Sequence, residues 1–155
     1  MKYTLALLAA SACAFNNGGI TVMENGQETT RYIISADWAD SLIDVSGNSV
    51  TLRHSARAYL ATNASDNFDP NNYHQFVLKD KTLSFDVTLA DISCSCNASL
   101  YTVSMPGYNW SGQPDPSSGG DYYCDANQVG GVWCWEMDIM EANKYVVQTT
   151  PHKCW

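Results

Sequence analysis

The chain has 155 residues, enough for one domain and short for two. Its formal charge of −8 comes from only 16 acidic and 8 basic residues. An acidic surface without a basic, aromatic-laced patch repels phosphate backbones, so nucleic acid is excluded as a partner, and an uncharged polymer suits the composition better.

The N-terminus carries Lys2, an apolar run from Leu5 to Ala10, and small residues at Ala12 and Ala14. This is the pattern of a secretory leader over residues 1–14, with the mature chain over residues 15–155. The run is too short to span a bilayer, which needs roughly 20 apolar residues. The expected location is extracellular, with no membrane attachment after cleavage. Five cysteines then remain, Cys94, Cys96, Cys124, Cys134 and Cys154, and outside the cell they are expected to pair. Their spacing holds no two Cys-x-x-Cys motifs, which argues against a structural zinc site. Asn63, Asn97 and Asn109 each open an Asn-x-Ser sequon.

In chain order, Tyr32, Ile33 and Ile34 form a short strand candidate. Val50 to Arg53 form another, entered by a turn at Ser46, Gly47 and Asn48. Leu83, Phe85, Val87 and Leu89 alternate with Ser84, Asp86 and Thr88, the period-two signature of a half-buried strand. Residues 100–105 read as a further strand. Residues 63–72 and 106–120 are rich in turn formers, and the second loop carries Tyr108 and Trp110. No stretch sustains a helical period, so the expected class is all-β.

The segment Glu136-Met-Asp-Ile-Met-Glu141 places three acids within six residues. On a regular strand Glu136 and Asp138 share one face, while Met137 and Ile139 point to the core and Glu141 has the wrong parity. A β-bulge after Asp138 would return Glu141 to the acid face. Crowded carboxylates separate in pKa, which is what a retaining glycosidase needs: one ionised nucleophile and one protonated acid. The competing reading is a solvated acidic strand end or a calcium site. Met137, Ile139 and Met140 between the acids suit a packed strand better than a calcium loop.

These motifs, taken in order, resemble glycoside hydrolase family 7, the cellobiohydrolases and endoglucanases. The resemblance rests on Glu136-Met-Asp-Ile-Met-Glu141-Ala-Asn143, Thr150-Pro-His-Lys-Cys154, Tyr123-Cys-Asp-Ala126, Leu83-Ser-Phe-Asp-Val-Thr-Leu89, Cys94-Ser-Cys-Asn-Ala-Ser-Leu-Tyr101, Gly47-Asn-Ser-Val-Thr-Leu52 and Arg57-Ala-Tyr-Leu60. It implies a concanavalin-like jelly-roll β-sandwich, incomplete over this length, and cellulose or a related β-glucan as substrate.

The resemblance also implies a secreted monomer that needs no cofactor or metal. Glu136 is implied as nucleophile, Glu141 as acid/base, and Asp138 as a helper hydrogen-bonding Glu136. His152 would lie near Glu141, and Asn97, Tyr101, Asp125 and Arg57 would line the sugar cleft. Two family cysteine positions are Gln128 and Trp133 here, which leaves an implied Cys124–Cys134 bridge. The short excursion between those cysteines favours an open cleft and internal cleavage. The alternatives are a laminarinase-like β-1,3-glucanase of family 16 and a non-catalytic carbohydrate-binding remnant.

Overall fold

Two turns with positive φ organise the first strands. Asn25 (φ 52°) and Gly26 (φ 81°) take left-handed conformations and join β1 (Asn16–Glu24) to β2 (Gln27–Ser35). An Asn-Gly pair between alternating strands is the strongest short-range hairpin signal. It extends the expected Tyr32 to Ile34 strand into a long antiparallel pair. The computed structural model describes residues 16–152, so the leader over residues 1–14 and Cys154 lie outside the described residues. The chain divides into two compact units, Met1–Asn67 and Phe68–Trp155.

In the first unit β5 (Ala58–Ala61) adds to β2, giving the order β1-β2-β5. A 3-10 helix (Asp37–Leu42) leads into the hairpin of β3 (Ile43–Ser46) and β4 (Ser49–Leu52), turned at Gly47 and Asn48 as expected. Ile33, Ala36, Ala39 and Ile43 form the buried core of this unit, with Ile20, Val45, Val50 and Leu60 packed against them. The small Ala36 and Ala39 let the helix lie close to the strand carrying Ile33.

The second unit is built on β6 (Ala98–Val103), β7 (Glu136–Ala142) and β8 (Val147–Pro151), antiparallel in that order. Both units are all-β apart from the short helix, as expected, and their antiparallel sheets are consistent with part of a jelly-roll sandwich. One expected strand is absent. Leu83, Phe85 and Val87 are 41%, 44% and 49% exposed, and residues 82–90 join no ladder among the described residues. Their alternation is that of a strand, but a strand exists only where a neighbour takes its backbone hydrogen bonds.

Between β6 and β7 the chain makes a long excursion, organised around buried Asp121. Its carboxylate accepts bonds from Ser117 Oγ (3.0 Å) and the Tyr123 N–H (3.2 Å), and the Tyr73 hydroxyl donates to its carbonyl. Gly107 passes so close to the returning chain that a Cβ there would meet Val132 Cγ1 at 2.7 Å. Cys124 and Cys134 are joined as a disulfide, Cα atoms 5.4 Å apart, the pairing the resemblance implied. Among the described residues Cys94 and Cys96 are free and exposed. No described helix is long and apolar enough to cross a membrane.

Replacing both Cys124 and Cys134 by Ser removes the closure of an 11-residue loop and should lower stability by about 3 kcal/mol. Urea denaturation checks this; an unchanged midpoint would show that the bridge adds nothing to the fold.

Candidate active site

The site begins with a register shift in β7. Along β6 the pairing runs Leu100 to Met140 and then Tyr101 to Asp138, leaving Ile139 without an opposite residue. Along β8 it runs Asp138 to Thr150 and then Glu141 to Gln148. The central strand therefore carries one extra residue against both neighbours, a β-bulge at the position its acid spacing called for. The Thr149 hydroxyl donates to the Ile139 carbonyl at 2.9 Å and satisfies a backbone group the bulge removes from the ladder.

The consequence is that Glu136, Asp138 and Glu141 all line one open pocket of about 390 Å³, together with Tyr101 and His152. Beyond the bulge Met140 and Ala142 are buried. Before it, Met137 is 43% exposed, which corrects the expectation that it packs into a core.

Each acid has its own partners. Glu136 Oε2 accepts the Ala126 N–H at 2.9 Å. Asp138, buried, is joined through Oδ2 to His152 Nε2 at 2.9 Å, and not to Glu136 as the resemblance implied. His152 thus sits on Asp138, and it lines the same pocket as Glu141. Glu141 Oε1 accepts from the Asn97 amide at 3.1 Å, and its Oε2 from the Thr150 hydroxyl at 3.4 Å. Among the described residues, Glu136, Asp138 and His152 present ligand atoms within 4.8 Å of one another and could hold a cation.

Burial pushes the Glu136 pKa above the usual glutamate value. The Ala126 N–H opposes that rise, the negative charges of Asp138 and Asp125 add to it, and His152 opposes it. The Ala126 donor comes from the disulfide loop. Asp125 pairs with Trp133 across the base of this loop, and its Oδ1 accepts the Val129 N–H at 3.0 Å.

Asp125 therefore does not line the pocket. It is buried one layer behind, at the end of a chain in which Tyr101 donates to Tyr123 at 3.3 Å and Tyr123 to Asp125. Burial first, and these bonds second, hold the Tyr123 phenol far above its ordinary pKa, so it stays protonated. Arg57 belongs to the first unit, where its guanidinium lies over the rings of Trp38 (4.6 Å) and Tyr59 (5.7 Å). The pocket itself is lined by second-unit residues alone.

Ser99, Asn127, Gln148 and Thr150 also line the pocket and were not anticipated. Period-two spacing would have found three of them: Ser99 lies two before Tyr101, and Gln148 and Thr150 lie four and two before His152.

A profile described as glycosyl hydrolase family 7 matches residues 25–130. Endoglucanase EG-1 of Hypocrea jecorina is 29% identical over 175 residues, covering 93% of this chain and 37% of its own length. A probable endo-beta-1,4-glucanase, celB, of Aspergillus clavatus is 31% identical over 122 residues, 69% of this chain and 28% of the relative. Exoglucanase GH7B of Limnoria quadripunctata is 29% identical over 154 residues, 76% and 34% respectively. The chain spans between 28% and 37% of the length of these relatives. No solved structure matches it. The profile match ends before β7, so the acid cluster is read from its own geometry.

Because folding raises the Glu136 pKa, its contribution to stability is complete below the ordinary glutamate value and is lost as pH rises through the raised one. Glu136→Gln does not titrate, so it should gain on the wild type between pH 4 and pH 7. Urea denaturation at both values measures the stability of the variant minus that of the wild type; a difference that is smaller or more negative at pH 7 than at pH 4 contradicts the burial argument.

Proposed function

Because the chain belongs to glycosyl hydrolase family 7, we propose that it is a secreted, retaining glycosidase acting on the β-1,4 linkages of cellulose or a related glucan. The observation that carries this reading is the bulge at Ile139, which brings Glu141 into one pocket with Glu136 and Asp138.

In the first step ionised Glu136 attacks the anomeric carbon. Glu141 gives its proton to the departing glycosidic oxygen, and a glycosyl ester forms on Glu136. In the second step Glu141, now a carboxylate, takes a proton from water as that water displaces Glu136 from the sugar. The Ala126 N–H holds one Glu136 oxygen in place and favours its charged form, while Asn97 and Thr150 orient Glu141. Asp138 carries a charge that couples to Glu136, and His152 anchors Asp138. Tyr101, backed by Tyr123 and Asp125, offers the pocket a rigid ring for a sugar face.

Secretion is supported by the leader pattern of residues 1–14 and by the Cys124–Cys134 bridge, which persists in oxidising compartments. Internal cleavage is supported by the short Cys124–Cys134 excursion and by a pocket open to solvent.

Glu136→Gln should lower hydrolysis of a soluble aryl-cellobioside by about three orders of magnitude or more, because the nucleophile is removed, with cellobiose binding retained. Wild-type protein that binds cellulose without cleaving that substrate would mark a carbohydrate-binding remnant. In the active protein, the acid limb of the kcat/KM profile should lie above the ordinary glutamate pKa, since Glu136 must be ionised to attack. A limb below that value would assign the limb to another group.

A further inference from the structure

Of the three sequons, the one at Asn97 touches the pocket. Asn97-Ala98-Ser99 has the form Asn-x-Ser, and Asn97 is exposed. The atom an N-glycan would attach to, Nδ2, donates to Glu141 Oε1 at 3.1 Å and to Ser99 Oγ at 3.0 Å. Glu141 and Ser99 both line the pocket. Asn109 presents the opposite arrangement. There the side-chain oxygen is engaged, accepting the N–H groups of Ser111 (2.9 Å) and Gln113 (3.1 Å) in an exposed turn, and none of these residues lines the pocket.

We propose that Asn97 is an N-glycan acceptor and that the glycan covers Glu141. The donor is a polyprenyl-pyrophosphate-linked oligosaccharide of the secretory pathway. A bond forms between Asn97 Nδ2 and the anomeric carbon of the donor's first N-acetylglucosamine. The bond from that carbon to the pyrophosphate oxygen breaks, the pyrophosphate leaves with the electron pair, and one amide proton passes to solvent. The nitrogen keeps a single hydrogen where it now makes two hydrogen bonds, so Glu141 or Ser99 loses its donor. The first sugar is then attached to an atom in contact with the Glu141 carboxylate, at the pocket's edge. Coverage of Glu141 is argued from the 3.1 Å contact of the attachment atom with its carboxylate; loss of turnover rests additionally on the acid/base role proposed above.

The test uses the full chain carrying Asn63→Gln and Asn109→Gln, secreted from yeast and, for comparison, exported to a bacterial periplasm without N-glycosylation. Glycopeptide mass spectrometry reads occupancy at Asn97, and carbodiimide labelling reads the accessibility of Glu141. We expect Asn97 to carry N-acetylglucosamine in the yeast protein, Glu141 labelling to fall at least fivefold in the lectin-retained fraction, and aryl-cellobioside turnover to fall at least tenfold. An unoccupied Asn97, or equal Glu141 labelling in both forms, overturns the inference. If labelling falls but the unglycosylated form also fails to turn over, the inference stands and the hydrolase reading fails.

Discussion

One extra residue in one strand carries the rest of this structure. A β-strand alternates its side chains strictly, so acids at positions 136, 138 and 141 cannot share a face without a local break in the ladder. The break at Ile139 meets that requirement for both neighbouring strands at once. Its cost is a carbonyl displaced from regular pairing, which the Thr149 hydroxyl satisfies. The same shift turns Met140 and Ala142 to a buried side, so the grouping of the acids and the packing are set by a single irregularity.

The disulfide loop performs the complementary task behind the strand. Cys124 and Cys134 tie its ends, and the Asp125 to Trp133 bridge closes its base. With the ends fixed, the Ala126 N–H is held against Glu136 without the mobility an open loop of this length would have. Asp125 serves two purposes from one buried position. It caps its own turn, and it anchors the Tyr123 and Tyr101 hydroxyls that reach forward to the pocket. A residue expected at the sugar surface is instead the foundation beneath it.

The electrostatics follow from the same layout. Four carboxylates, Asp125, Glu136, Asp138 and Glu141, gather around a small volume with His152 as the nearby basic side chain. The partly buried Glu136 bears the burden of that crowding, and its pKa rises for lack of water more than for any one neighbour. A backbone N–H and a histidine oppose the rise. The family profile matches the strands and loops of residues 25–130, upstream of this cluster. The acids add the chemistry that such a scaffold positions.

The acid spacing in the amino-acid sequence required a bulge after Asp138 for all three acids to share a face, because alternation along a strand is a local backbone property that needs no tertiary information. The all-β class, the Gly47-Asn48 turn and the strand over residues 100–103 were legible for the same reason: each is a local pattern with a local cause. The Asn25-Gly26 hairpin has an equally local cause. Other outcomes depended on which residues meet across long separations. Leu83 to Leu89 alternates as a strand does, yet no partner among the described residues takes its hydrogen bonds. His152 lies on Asp138, and Asp125 behind the pocket, because the return of β8 and the closure of the disulfide loop place them there. Periodicity fixes the side a residue faces; only the folded chain decides what waits on that side.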